Sequence, residues 1–299
     1  MKAVKTGIIG VGHFGRFHAA ILHGLPQCEF IGVYDIDSTR SKQVADDLKV
    51  TWFKKVGHLI EQSDALFVVT PAATHFACAE RVLSAGKHLF IEKPLAESAA
   101  NARQLLEAAN KKGVLLQVGH IERFNPAFSL LKNNLPKTIN RIEANRLLPF
   151  SARGTDVSVV YDLMVHDIDL VLNLLQESPN GYDATFQKIQ TPFADSCRAT
   201  LSFKSGITAH LTSSRVSDKR ERTLTVFSGQ GKYCIDLDEQ SLLLPDGRIL
   251  KNSEKRNILQ DEIRSFLKTV QEGHRPMVTG EEGTMALEVA ESIIALESA

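Results

Sequence analysis

Asp162, His166, Asp169 and Asn173 interrupt VVYDLMVHDIDLVLNLL (159–175), one of the most apolar stretches of the chain. At about 100° per residue these four fall on one narrow stripe of a helix, while the apolar positions sweep roughly 220° around the rest. A helix docked on a single core needs an apolar arc of only about 100°, so this one is expected to be covered on most sides. Its polar stripe then faces either a thin strip of solvent or an internal cleft. In a cleft, Asp162 and His166 stand one turn apart and reach one point. There an imidazole and a carboxylate one turn apart could do acid–base work together. Asp169 either binds substrate or continues the stripe. Asp167 lies inside the apolar arc and needs a buried partner, by default a salt bridge or a cap.

A second reactive group, Lys93, ends the strand-like run KHLFIEKPL. By residue type alone a lysine is a surface charge. Two features argue for a site: Pro94 holds Lys93 extended, with a cis bond open to it, and the carboxyl edge of an open α/β sheet is where ligands bind. On the same edge lies GIIGVGHFGRFH, with Gly10, Gly12 and Gly15 in G-x-G-x-x-G spacing between a first strand and a first helix. Gly10 permits the tight turn, Gly12 lets backbone N–H groups approach a pyrophosphate, and Gly15 allows close helix–strand packing. Asp35 ends the second strand 20 residues after Gly15, where a dinucleotide fold keeps its ribose-binding acid. Such an acid accepts from ribose hydroxyls and repels a 2′-phosphate, which favours NAD over NADP. Arg40 and Lys42 weaken that preference without reversing it.

The elements that must position these groups fall into two blocks. Residues 1–120 alternate short β-rich runs with helical patterns, as expected of a Rossmann-type, doubly wound parallel sheet. Ser38, Thr74 and Ser98 are candidate N-caps, and Gly86 and Gly113 stand at C-terminal caps. Residues 121–299 read as an α+β domain for substrate binding and oligomerisation. A helix near NPAFSLLKNN leads into a polar stretch, RIEANRLLPFSARGTD, and then into the 159–175 helix. From about residue 183, period-two runs such as CRATLSFKSG and ITAHLTSSRV predict a mainly antiparallel open sheet. The helical patterns after about residue 258 are expected to pack back on the first domain.

Bulk properties exclude several classes of function. Lys plus Arg equal Asp plus Glu at 35 each, with a pI near 7.2, so no global field recruits nucleic acid or an anionic membrane. The four cysteines have no zinc-type spacing, and no run of apolar residues spans a bilayer. A cytoplasmic protein with reduced thiols and no metal is expected. The other histidines form no ligand cluster. Among them His13 sits in the glycine turn, and His75 either approaches a cofactor or is structural.

Taken together, the glycine turn with Asp35, VVTPAATH (68–75), AGKHLFIEKP (85–94) and DLMVHDID (162–169) resemble the glucose-fructose oxidoreductase/inositol dehydrogenase/MocA family across both domains. The resemblance implies a sugar or nucleotide-sugar dehydrogenase. Its catalytic group would be Lys93, Asp162 and His166. NAD would be held by Gly10, Gly12, His13, Phe14, Gly15, Asp35, Thr70, Pro71, His75, Glu92 and Lys93. Oxidising an alcohol also needs a base, and the sequence does not rank Lys93 against His166 for that role.

Two further stretches, LQVGHIERFNPA (116–127) and residues 146–170, resemble bacterial enzymes that oxidise the 3-hydroxyl of UDP-N-acetylglucosamine ahead of lipid A synthesis. That resemblance implies Arg123, Asn125, Arg153 and Asp169 as substrate contacts. Arg146 would join Arg123 and Arg153 near the diphosphate, because a guanidinium fork suits phosphate oxygens. A dehydrogenase of a free sugar or cyclitol is expected instead if these arginines point away from the cleft. A non-catalytic NAD-binding regulator would lack the lysine or the Asp/His pair, and all three are present. Relatives imply a homodimer or homotetramer.

Overall fold

A computed structural model describes residues 2–151, 154–155 and 157–298. The chain divides into two units, Met1–His120 with Asn257–Thr284, and Ile121–Arg256 with Met285–Ala299.

In the first unit β1 (Val4–Ile9), β2 (Cys28–Tyr34), β3 (Thr51–Trp52), β4 (Ala65–Val68), β5 (His88–Glu92) and β6 (Leu116–Gly119) form a parallel sheet in the order β3-β2-β1-β4-β5-β6. The runs Leu66–Phe67–Val68 and Leu89–Phe90–Ile91 are fully buried, the signature of a sheet covered on both faces. Strand order reverses between β1 and β4, so their carboxyl ends frame the crevice where such sheets take ligands. The strands are connected by helices α1 (His13–Gly24), α2 (Ser38–Leu48), α3 (Val56–Gln62), α4 (His75–Ser84) and α5 (Ala99–Lys112). Ser98 caps α5 by accepting from Asn101 N–H, and Gly113 ends it in the left-handed conformation, both as expected. Gly86, just past α4, is likewise left-handed at φ +70°, while the other two N-cap expectations are corrected. Asp37, not Ser38, caps α2 through Arg40 N–H, and Thr74 turns its hydroxyl back to the Pro71 carbonyl at 2.8 Å.

The late helix α8 (Ile258–Glu272) completes this unit's core. Its Ile263, Phe266 and Leu267 are fully buried, and the Phe266 ring stands edge-on to Phe67 at 5.4 Å, with Phe67 stacked on Phe90 at 4.8 Å.

The second unit is built on an eight-stranded sheet of order β14-β13-β12-β11-β7-β10-β9-β8. Its strands are β7 (Arg141–Leu147), β8 (Gly181–Gln187), β9 (Ser196–Ser202), β10 (Thr208–Ser214), β11 (Glu221–Ser228), β12 (Gly231–Asp236), β13 (Ser241–Leu243) and β14 (Ile249–Lys251). Every pairing is antiparallel except β7 with β10. The first half of RIEANRLLPFSARGTD is therefore not a polar connection but the central strand β7. Ile142 and Ala144 face the core, and the third inward position is Arg146, whose charge conceals the alternation. The helices here are α6 (Pro126–Asn133), α7 (Val165–Leu175) and most of α9 (Gly280–Ala295), whose Ala286, Val289, Ala290 and Ile293 join the core.

The 159–175 segment differs from one regular helix. Val160–Met164 is a π-helical turn in which Val165 N–H reaches back to the Val160 carbonyl, and regular α-helix begins only at Val165. A π turn inserts a residue into the ladder, so Asp162 and His166 are not related by a plain α-helical turn.

Candidate active site

The glycine turn has the geometry of an anion cradle. Gly10 adopts φ +93°, and a Cβ there would lie 2.8 Å from Thr70 Cγ2. A Cβ on Gly15 would collide with the Gly10 carbonyl. At Gly12, by contrast, a Cβ would meet nothing within 4 Å among the described residues beyond the adjoining backbone. That open position is the N-cap of α1, no side chain caps it, and the first turn carries no acid. Backbone N–H groups at such a helix start bind pyrophosphate. Asp35 is fixed at the end of β2 because its two carboxylate oxygens accept from Val11 N–H at 2.8 Å and Asp37 N–H at 2.9 Å. Each oxygen retains a lone pair for a ribose hydroxyl. These residues fit a dinucleotide. Arg40 lies 3.6 Å from Asp35 and 3.2 Å from Asp37. Asp35→Ser is expected to shift the NADP-to-NAD ratio of dissociation constants toward NADP by about 10- to 100-fold, the worth of a charge-assisted hydrogen bond. Calorimetric titration with both nucleotides checks it, and an unchanged ratio would remove Asp35 from the ribose site.

Phe14 is 61% exposed, and His13 sits edge-on to Phe14 at 5.4 Å and Phe17 at 5.1 Å. Thr70 and Pro71 follow β4, with the hydroxyls of Thr70 and Thr74 within hydrogen-bond distance at 2.9 Å. Lys93 leaves the end of β5, half-buried, through a cis bond to Pro94.

Two expected cofactor contacts also brace this edge. The ring nitrogens of buried His75 face the Pro94 carbonyl at 2.6 Å and the Thr70 carbonyl at 2.9 Å, and burial lowers its pKa against the pull of those carbonyls. It ties the segment after Lys93 to the exit of β4. Glu92 accepts from the backbone N–H of Lys93 at 3.2 Å and pairs with Nε2 of His18 at 2.9 Å. Burial works to raise Glu92, but His18 and Lys93 hold it below the ordinary carboxylate range. His18, not singled out from the sequence, lies on the buried stripe Gly15, His18, Ala19, Leu22 of α1. That spacing was the available signal.

In the second unit, Asp162 and His166 are half-buried at the π turn and the start of α7. Asp167 has the buried partner expected of it, since Arg146 donates to both its oxygens at 3.0 and 2.7 Å. Arg146 also reaches Glu122 at 3.0 Å. Glu122 in turn pairs with Arg222, which bonds Asp238 at 3.1 Å, and Asp238 is gripped by Arg220. Burial opposes the charges of Glu122 and Arg146, yet Arg146 and Arg222 hold Glu122 low, and Asp167 with Glu122 holds Arg146 high. On Asp167 burial prevails over Arg146 and pushes the carboxyl up. The network joins α7 to β7, β11 and the residues after β12.

Several residues expected at the substrate are engaged within the protein by the same geometry. Arg123 is buried and forms a two-pronged pair with buried Asp169 at 2.6 and 2.7 Å. Asn125 is fully buried, caps α6 and donates to Glu122 and the Leu237 carbonyl. These polar groups meet one another, which a lone reading of each residue type does not reveal. Asn173 accepts from Lys132. Arg153 lies outside the described residues.

Asp195, at the end of the 188–195 loop, is wholly buried. Burial works to raise its carboxyl, but N–H groups of Thr191, Gln190 and Ile189 hold it far below the ordinary carboxylate range. A depressed folded-state pKa stabilises the protein above the unfolded value of about 3.9, and the contribution is lost as pH falls below that. Asp195→Asn is therefore expected to be less stable at pH 7 and to lose less on acidification below about pH 4. Urea midpoints across that range check it, and parallel pH slopes for the two proteins would contradict it.

Comparison with known proteins agrees with this architecture. Residues 4–120 match the model of the oxidoreductase family with an NAD-binding Rossmann fold, and residues 147–234 match the GFO/IDH/MocA C-terminal domain. A UDP-N-acetylglucosamine 3-dehydrogenase from Acidithiobacillus ferrooxidans is 34% identical over 93% of this chain and 91% of its own. A crystal form of that protein superposes with a TM-score of 0.93, covering 98% of this chain and 97% of the other. Myo-inositol 2-dehydrogenase from Thermotoga maritima is 27% identical over 95% of this chain and 93% of its own. With an NAD-binding Rossmann unit, a matching second domain and a relative aligned across nearly the whole chain, this protein belongs to the Gfo/Idh/MocA family of oxidoreductases.

Proposed function

We propose that this chain is an NAD-dependent dehydrogenase that oxidises the 3-hydroxyl of UDP-N-acetylglucosamine to the 3-keto sugar. The similarity to an enzyme of that name over both units carries the reading. The cradle at Gly12 and Asp35 supports it by fitting the cofactor. Bound NAD supplies the acceptor for the hydride that leaves carbon 3. In this reading one of Lys93 and His166 takes the proton of the hydroxyl, while Asp162 orients the imidazole or the sugar. Gly10, Gly12, Gly15 and Asp35 hold the dinucleotide, with His13, Phe14, Thr70 and Pro71 beside it. Arg153 is the proposed diphosphate contact, since Arg123 and Arg146 are committed to carboxylates.

That commitment also favours a second reading, oxidation of a free sugar or cyclitol, which needs no phosphate site. Incubating the protein with NAD and either UDP-N-acetylglucosamine or myo-inositol separates the two. Reduction of NAD with the nucleotide sugar supports the first reading, and reduction with myo-inositol alone replaces it by the second. We place the enzyme in the cytoplasm, as a homodimer or homotetramer joined through the second unit's sheet, upstream of a transamination leading to lipid A.

A further inference from the structure

The side chain of Arg215, at the end of β10, is almost wholly buried, and its donors all turn to one task. Nε meets Asp195 at 2.9 Å, Nη1 the Gly154 carbonyl, and Nη2 the carbonyls of Val157 at 2.8 Å and Ala194 at 3.0 Å, with Thr191 Oγ1 at 3.2 Å. Asp195 is itself immobilised by three successive N–H groups, at 2.8, 2.7 and 3.0 Å. A fixed anion therefore aims a guanidinium at the turn before the π-helical segment. The grip continues along the backbone. Ala194 O also accepts from Val159 N–H at 2.9 Å, and Ser158 O accepts from Asp162 N–H at 3.2 Å.

Gly154 supplies the second half of the arrangement. It has φ +65°, and a Cβ there would stand 2.7 Å from Cγ and 3.1 Å from Oδ1 of Asp162. A Cβ there would displace that carboxylate, whereas glycine lets the backbone at residue 154 lie directly on it. We propose that Arg215 and Gly154 are positioning residues for Asp162, the guanidinium holding the turn by its carbonyls and the glycine setting how closely it backs the carboxylate. The role rests on the reading of Asp162 as catalytic, although the contact itself does not.

The test is a double-mutant cycle. Gly154→Ala is expected to lower kcat by about 10- to 100-fold, as a misplacement near 1 Å does, with the KM for NAD unchanged. In an Asp162→Ala background, where no carboxylate is left to displace, the same change is expected to cost nothing further. Gly154→Asn separates collision from backbone strain, because Asn tolerates positive φ yet still carries a Cβ. It is expected to be as impaired as the alanine variant, and recovery of activity in it would overturn the proposal. So would an equal penalty for Gly154→Ala with and without the Asp162 carboxylate. Arg215→Lys keeps the charge but not the fork, and is expected to repeat the loss of kcat. Titration of the ¹³C-labelled Asp162 carboxyl reads the contact without turnover, and an unmoved titration in Gly154→Ala would refute the proposal. Wild-type turnover in Asp162→Ala, with that titration still shifted by Gly154→Ala, would instead remove the catalytic reading and leave the clamp standing.

Discussion

Lys93→Ala and His166→Ala are each expected to lower kcat/KM for the sugar by about 10²- to 10⁴-fold, the usual cost of losing a general acid–base. At 1.36 kcal/mol per factor of ten, that is roughly 3–5 kcal/mol of transition-state stabilisation. Binding of NAD is expected to survive in both. The hydrogen bond from residue 93 to Glu92 uses the backbone N–H, which alanine keeps, and the glycine cradle lies on a different strand. The two losses differ in kind. The variant lacking the proton acceptor should lose the rise of kcat/KM with pH and recover when a small exogenous base is added, imidazole for one and an alkylamine for the other. Steady-state kinetics across pH, with calorimetric NAD titration, measure all of this. Normal turnover by both variants would put the chemistry on other residues.

Arg146→Met is expected to destabilise the protein by about 3–5 kcal/mol, the cost of removing one partner from a buried ion pair. The magnitude follows from what is left behind. Asp167 loses both of its guanidinium hydrogen bonds, and Glu122 retains Arg222 and Asn125. Arg146, Asp167 and Glu122 are each nearly or wholly inaccessible to water, so solvent cannot replace the lost partner. Pairing Arg146→Met with Asp167→Leu is expected to recover much of the loss, since well-packed apolar groups often substitute for a buried pair at little cost. Urea unfolding extrapolated to water provides the measurement. A loss under about 1 kcal/mol would show the network to be solvated.

Most of the first unit was legible because its signals are local. Apolar runs bounded by glycine, and one acid at a fixed distance, determine a parallel sheet and its crevice without reference to the rest of the chain. The second unit was harder because its informative residues are polar and their partners are distant. Arg146 broke the alternation of β7, so a central strand read as a connection. Arg123 and Asp169, 46 residues apart, each looked available to a ligand because a residue type does not announce its partner. The π turn was invisible for a different reason: a stripe drawn at 100° per residue presumes the regular ladder that the turn interrupts. The bracing bonds of His75 and Glu92 were likewise not legible, since motif position indicates an edge of the sheet and not which atoms already have partners.

The position of α8 bears on how the protein is made. The aromatic cluster of Phe67 and Phe90 is closed by Phe266, which the ribosome supplies only after the whole of residues 121–256. At roughly 5–20 residues per second that interval is about 7–27 s, during which the nascent dinucleotide fold presents exposed aromatic rings. A fragment ending at His120 is therefore expected to aggregate unless residues 257–284 are supplied in trans, which light scattering of the two preparations checks.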